Sequence, residues 1–204
     1  MISGQKTCWR YCVADEAKAP GLASGWRKLV IEHRITLSLA FALVALIFIR
    51  PSRTGMLYGV PLIIMGEAIR IWASGHIHKM REVTRTGPYA LCRHPLYVGH
   101  FLITCGFLFI GSSIPVLAVG LLVFWLIFQP TMEREEGELQ KVFDQEYGDY
   151  MQQVSRFVPR WHADAMLGGH DWTQVRNHRE WNNILGLVAG IAIMAGLGLW
   201  HGTW

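Results

Sequence analysis

The side chains able to do chemistry in this 204-residue chain gather in two polar stretches. The first, Ser74 to Gly99, contains Gly87-Pro88-Tyr89 and then Arg93-His94-Pro95-Leu96-Tyr97. The second, Thr131 to Pro159, holds Glu133, Glu135 and Glu136, followed by Phe143, Tyr147 and Tyr150. Proline suits the first position of a helix, so a helix is expected to start at Pro95. Its unpaired N–H groups and positive dipole end would then lie beside His94 and Tyr97, ready for a carboxylate or phosphate. A plainer reading has His94 and Tyr97 only anchoring a transmembrane helix at headgroup level, and the segment alone admits both. Leu139, Val142 and Phe143 fall at helical spacing, so the three acids should sit on a helix, either as a solvated face or as part of a site.

Two further pairs have weaker signals. Glu67 and Arg70 stand three residues apart, on one helix face of an apolar segment. Charges inside a membrane are costly and usually face a bundle interior or a wet cavity, so we read them as a pocket wall, with a structural ion pair as the alternative. His76 and His78 have no third ligand placed with them, so no metal site is expected. Cys8, Cys12, Cys92 and Cys105 read as four free thiols, because Cys-x3-Cys alone is not a zinc site and a reducing compartment disfavours disulfides.

The elements that must position these groups are set by where charge is missing. Only 17% of residues are charged and 51% are hydrophobic. No Asp, Glu, Lys or Arg occurs from His94 to Met132, from Trp181 to Trp204, from Ile35 to Ile49 or from Thr54 to Gly66, which together hold 91 residues. A soluble globule of this size has no interior to hide that much apolar chain, so soluble, disordered and disulfide-scaffold classes are excluded. The longest stretch, 39 residues, is enough for two crossings of a hydrocarbon core that needs roughly 20 helical residues each. Gly111-Ser112-Ser113-Ile114-Pro115 supplies the turn between them. Five spans are expected near 30–49, 55–74, 96–111, 114–130 and 183–201, an all-α multi-pass bundle with a short cytoplasmic helical segment. The short turn makes the third and fourth spans antiparallel neighbours, which brings His94, Tyr97 and Glu135 together. Gly186 and Gly190, with Ala192 and Gly196, read as small-residue pairs for close helix packing.

Five spans place 16 of the 19 basic residues on the side of segments 1–34, 75–93 and 131–180, against Arg50 and Arg53 on the other. That bias puts the N-terminus and the polar stretches in the cytoplasm and the C-terminus outside. It accounts for a net charge of +4 through anionic membrane lipids rather than nucleic acid. The first span lacks the small-residue cleavage site of a signal peptide. We divide the chain into residues 1–65 (tail and first spans), 66–160 (the two polar stretches with the helical hairpin between them) and 161–204 (linker and last span).

Taken together, Gly87-Pro88-Tyr89, Arg93-His94-Pro95-Leu96-Tyr97-Val98-Gly99, Glu135-Glu136-x-x-Leu139 and Phe143-x3-Tyr147-x2-Tyr150 resemble the isoprenylcysteine carboxyl methyltransferase family. The related phospholipid methyltransferases share the paired-Glu element. The likeness covers about residues 66–159 and implies a multi-pass membrane enzyme that uses S-adenosylmethionine without a Rossmann domain. The chain has no GxGxxG of its own. The resemblance further implies that His94, Pro95, Leu96 and Tyr97 hold the cofactor beside Tyr89. By the same likeness Glu135 meets its polar end, and Arg81, Glu82, Val83 and Thr84 cover it. Methyl transfer from a sulfonium needs chiefly alignment and exclusion of water. A lipid-like or prenylated acceptor would enter from the bilayer.

Two positions depart from the carboxyl methyltransferases. An Arg that holds the acceptor carboxylate, four residues before the first Glu of the pair, is Thr131 here, and the loop His is Arg81. Arg70 or Arg134 would have to replace the missing Arg. An amine acceptor needs none, but needs a carboxylate to take its proton, for which Glu67, Glu133 or Glu136 are available. Two other classes stay open: an NADPH-dependent membrane reductase of the sterol reductase type, which carries a similar Arg-His-x-x-Tyr-x-Gly element, and a non-catalytic membrane protein that keeps the fold.

Overall fold

A computed structural model describes residues 22–76, 83–161, 170–177 and 180–204. Six α-helices follow in order: α1 (Leu22–Phe48), α2 (Arg53–Ser74), α3 (Pro95–Ile110), α4 (Ile114–Gln153), α5 (Trp172–Asn177) and α6 (Glu180–Trp200), with a 3-10 turn at Gly87–Ala90 between α2 and α3. No strand occurs among the described residues, as the all-α expectation requires. Among the described residues, four helices are long and apolar enough to cross a membrane: Gly25–Phe48, Arg53–Ser74, Ile114–Gln153 and Asn182–Trp200. The expected span at 96–111 is present as α3, but its 16 residues rise only about 24 Å, short of a hydrocarbon core of about 30 Å. Large apolar side chains stand exposed along these helices, among them Ile35, Ile47, Leu57, Ile114, Leu185 and Trp200. Water would not tolerate that surface and lipid tails do, so the molecule is an integral membrane protein.

Local chemistry explains the helix ends. Ser52 caps α2, its hydroxyl accepting from the Gly55 N–H at 3.0 Å. Pro95 opens α3 from the His94 cap position, as anticipated. Ser112 turns the chain between α3 and α4 with φ of 50°. Helix α4 runs 40 residues, far longer than a membrane is thick, so its second half carries the acidic residues out beyond the bilayer. The backbone at Asp144 leaves the helical region with φ of 39°, and the Gln140 side-chain amide donates to the Asp144 carbonyl at 2.8 Å across that break.

The packing differs from the sequence expectation in one respect that matters for the site. Helix α3 packs far more extensively on α2 than on its hairpin neighbour α4. The reason is glycine. A Cβ placed on Gly66 would lie 2.5 Å from the Gly99 carbonyl oxygen, and one on Gly106 would lie 2.6 Å from that of Gly59. Backbones approach that closely only where neither helix carries a side chain. Between α3 and α4, by contrast, rings fill the gap, with Phe101 and Phe124 centroids 5.2 Å apart. The small-residue pairs expected to mediate close packing in the last span do not do so. Gly186 and Gly196 face open space, and Gly190 accommodates the Phe107 ring of α3.

Candidate active site

The site is built at the α3 start, where α1, α4 and the segment after α4 converge. His94, only 6% exposed, directs Nε2 to Glu136 Oε1 at 3.1 Å. One turn on, the Tyr97 hydroxyl donates to Glu135 Oε1 at 2.7 Å. His94 Nδ1 lies 3.9 Å from Glu135 Oε2, so the two acids flank one imidazole. The expected meeting of His94, Tyr97 and Glu135 is therefore a feature of the fold. Helix α1 adds Arg34, 3.9 Å from Glu135, and Arg27, 3.2 Å from Glu133.

Glu136 is the centre of a clamp. Arg156 grips both of its oxygens, Nη2 to Oε2 at 2.6 Å and Nε to Oε1 at 3.1 Å, and Arg93 Nη1 lies 3.0 Å from Oε1. The backbone reinforces it. Arg93 N–H donates to the Ser155 carbonyl, His94 N–H to that of Arg156 and Arg160 N–H to that of Leu91, so residues 155–160 strap the α3 start. Burial alone would raise the Glu136 carboxyl. Hydrogen bonds from His94 and Arg156, with the charge of Arg93, outweigh it and hold the group below the usual carboxylate range. The same bond to Glu136 pushes Arg156 further up.

Tyr89 lies buried in the 3-10 turn, and its carbonyl accepts from the Tyr150 hydroxyl at 2.7 Å. Its own hydroxyl is buried with no hydrogen-bond partner among the described residues. Burial, then the neighbouring Tyr150 and Glu135, push this phenol up, so it stays protonated. Tyr147 is pushed up to about 12, first by burial and then by Glu136. Val83 packs on Tyr147, Tyr150 and Val154, and Thr84 is half-buried beside it. Pro95 is fully buried and Leu96 half-buried. Arg81 and Glu82 lie outside the described residues.

Glu67 and Arg70 sit deeper, against α3. Glu67 is 7% exposed and 3.7 Å from the Arg70 guanidinium, whose stem crosses Gly99. Thr131 is sealed, its hydroxyl donating back to the Ile127 carbonyl at 2.9 Å. Sequence reasoning missed Arg27, Arg34, Arg93 and Arg156, whose roles depend on contacts between distant segments. It also passed over His100, although a histidine inside a charge-free span is a signal in itself.

Fold and cluster together define a class: an all-helical integral membrane protein with a polar, carboxylate-bearing site where a helix start meets the membrane surface. The chain belongs to the phospholipid methyltransferase family, whose sequence profile matches residues 34–146. It is 36% identical over 108 residues to the nickel-cobalt-cadmium resistance protein NccN of Alcaligenes xylosoxydans xylosoxydans, covering 52% of this chain and 48% of that protein. It is 35% identical over 121 residues to the cobalt-zinc-cadmium resistance protein CzcN of Cupriavidus metallidurans, covering 58% and 53%. The protein-S-isoprenylcysteine O-methyltransferase of Mus musculus is 30% identical over 120 residues, covering 53% and 41%. The chain thus spans about half the length of the curated relatives it matches. No solved structure matches.

Proposed function

We propose that the protein is an S-adenosylmethionine-dependent methyltransferase that acts on a lipid-like acceptor at the cytoplasmic membrane face. The observation that carries this reading is the meeting of His94, Tyr97 and Glu135 at a helix start that has no side-chain cap. The buried, unpartnered Tyr89 hydroxyl beside it adds a polar group that a ligand would satisfy. These residues fit the cofactor. The α3 start suits its carboxylate, Glu135 its ammonium or ribose hydroxyls, and Leu96 with the surrounding rings its adenine. When bound, the cofactor supplies a methyl group on a positively charged sulfur.

The remaining roles fall to this chain's own groups. Glu136 positions His94 and the α3 start, because a carboxylate clamped by Arg93 and Arg156 is a poor proton acceptor. Glu133, shared by Arg27, Arg156 and Gln129, is similarly engaged. Val83 and Thr84, beside Tyr147 and Tyr150, would form part of the cover over the cofactor. Thr131 offers an acceptor carboxylate no cation and no free hydroxyl. Arg70 and Glu67 line the apolar side by which the acceptor would arrive. The excess of basic residues on the site's side supports the cytoplasmic orientation. The family match supports methyl transfer over the reductase and the non-catalytic alternatives.

Thermal unfolding in detergent tests the reading. S-adenosylhomocysteine at 100 times its Kd stabilises the folded state by about 2.7 kcal/mol, and NADPH leaves it unchanged. Glu135→Ala and His94→Ala abolish the shift and Cys8→Ser does not. Stabilisation by NADPH alone overturns the proposal. A second reading, a part in resistance to divalent metals, is favoured by the names of two relatives. Loss of cobalt, nickel or cadmium tolerance on deletion, restored by the wild-type protein and not by Glu135→Ala, would unite the two readings.

A further inference from the structure

Helix α1 turns one face toward the site. Arg27, Val30, Arg34 and Leu37 follow at intervals of three and four residues, which sets them on one side of a helix. Val30 is buried in a cluster with Phe124, Phe128 and Met132 of α4, and Leu37 packs against that cluster. The two arginines are therefore directed at α4, where Arg27 Nη2 lies 3.2 Å from Glu133 and Arg34 Nη1 lies 3.9 Å from Glu135. The Arg34 pair is the loose one. Arg27, Arg93, Arg134 and Arg156 each stand no more than 3.2 Å from a carboxylate. At 3.9 Å Arg34 makes no hydrogen bond to Glu135, and both side chains are 42% exposed. Such a pair contributes little to holding α1, which Val30 and Arg27 already hold. A cation and an anion side by side, each with an open edge, at a helix start with no side-chain cap, are complementary to a zwitterion.

We infer that Arg34 receives the carboxylate of the cofactor while Glu135 receives its ammonium, so that this one pair reads the amino-acid end of the molecule. This rests on the methyltransferase reading and extends the binding site to α1, outside the two polar stretches. Guanidinium suits the task. It carries five donors in a planar fork that matches a carboxylate, so it can donate to the ligand and keep its charge contact with Glu135. With the amino-acid end in place, charges of alternating sign close a ring in which each has two opposite neighbours. The open pair gives each of them fewer. The charge of Arg34 also acts on the Tyr97 hydroxyl, which ties α1 to the same first turn of α3.

Isothermal titration of the detergent-purified full-length protein tests this with two ligands, S-adenosylmethionine and its decarboxylated form, which keeps the ammonium and lacks the carboxylate. The wild type prefers the complete cofactor by about tenfold or more, the worth of a charge-assisted hydrogen bond. Arg34→Gln removes that preference and binds the decarboxylated form at least as tightly as the wild type does. Arg34→Lys, which keeps the charge without the fork, restores part of the preference. The inference is overturned if the wild type binds the two ligands equally, or if Arg34→Gln retains the wild-type preference. It is overturned too if Arg34→Gln loses affinity for both ligands alike, which would make Arg34 a support for α1 only. Failure of the wild type to bind either ligand overturns the underlying reading instead.

Discussion

The Tyr97 hydroxyl donates to Glu135 Oε1 at 2.7 Å across 38 positions of sequence, joining the first turn of α3 to the part of α4 that has left the membrane. The bond aims an acid at the start of a neighbouring helix. The second Glu135 oxygen stands 3.9 Å from His94 Nδ1, at the cap position of α3.

Tyr97→Phe removes that bond and keeps the ring against Phe128. We expect S-adenosylhomocysteine affinity to fall about tenfold, since a hydrogen bond to a charged group contributes roughly 1.5 kcal/mol or more. Isothermal titration measures it. An affinity within twofold of the wild type would mean that Glu135 needs no alignment.

Glu136→Gln leaves Arg93 and Arg156 without their shared anion. Removing one partner of a buried ion pair costs about 3–5 kcal/mol, and the partial exposure of Arg156 places this case near the lower end. The expected result is a large fall in the thermal midpoint and proteolytic release of the 155–160 strap. A change below about 1 kcal/mol would show the clamp to be incidental.

The same carboxylate gives the protein an acid-side stability limit. Its folded-state value is lowered from an ordinary 4.5, so its contribution is complete above the unfolded value and is lost as pH falls through the folded one. The wild-type thermal midpoint should hold steady at neutral pH and drop on acidification below about 4.5, and Glu136→Gln should flatten that drop. Parallel curves for the two proteins would assign the acid transition elsewhere.

Glycine substitutions separate the two candidate packing seams. Gly106→Ala forces α2 and α3 apart, at a cost of about 1–3 kcal/mol, because its Cβ would meet the Gly59 carbonyl. Gly196→Ala, in open space, is neutral or stabilising, since alanine exceeds glycine in helix propensity by about 1 kcal/mol. Thermal midpoints of the two variants in one detergent decide it, and equal effects would contradict the packing described.

The membrane class, the helix positions, the start at Pro95 and the continuation of α4 past the bilayer were legible because each is written in a local window of hydropathy, charge or a single proline. The approach of His94 and Tyr97 to Glu135 was legible too, since one short turn relates their helices. What the sequence left open is which helices touch and how closely. Gly59, Gly66, Gly99 and Gly106 look no different from Gly186 and Gly196 until a partner backbone is opposite them. Arg34 and Arg156 likewise reach the two acids only because α1 and the 155–160 strap are folded against α3 and α4. Hydrophobic periodicity assigns a residue to a helix and to lipid or interior. Pairing of charges between distant segments is decided by the distance of backbone approach, which depends on both surfaces at once and exists only in the tertiary structure.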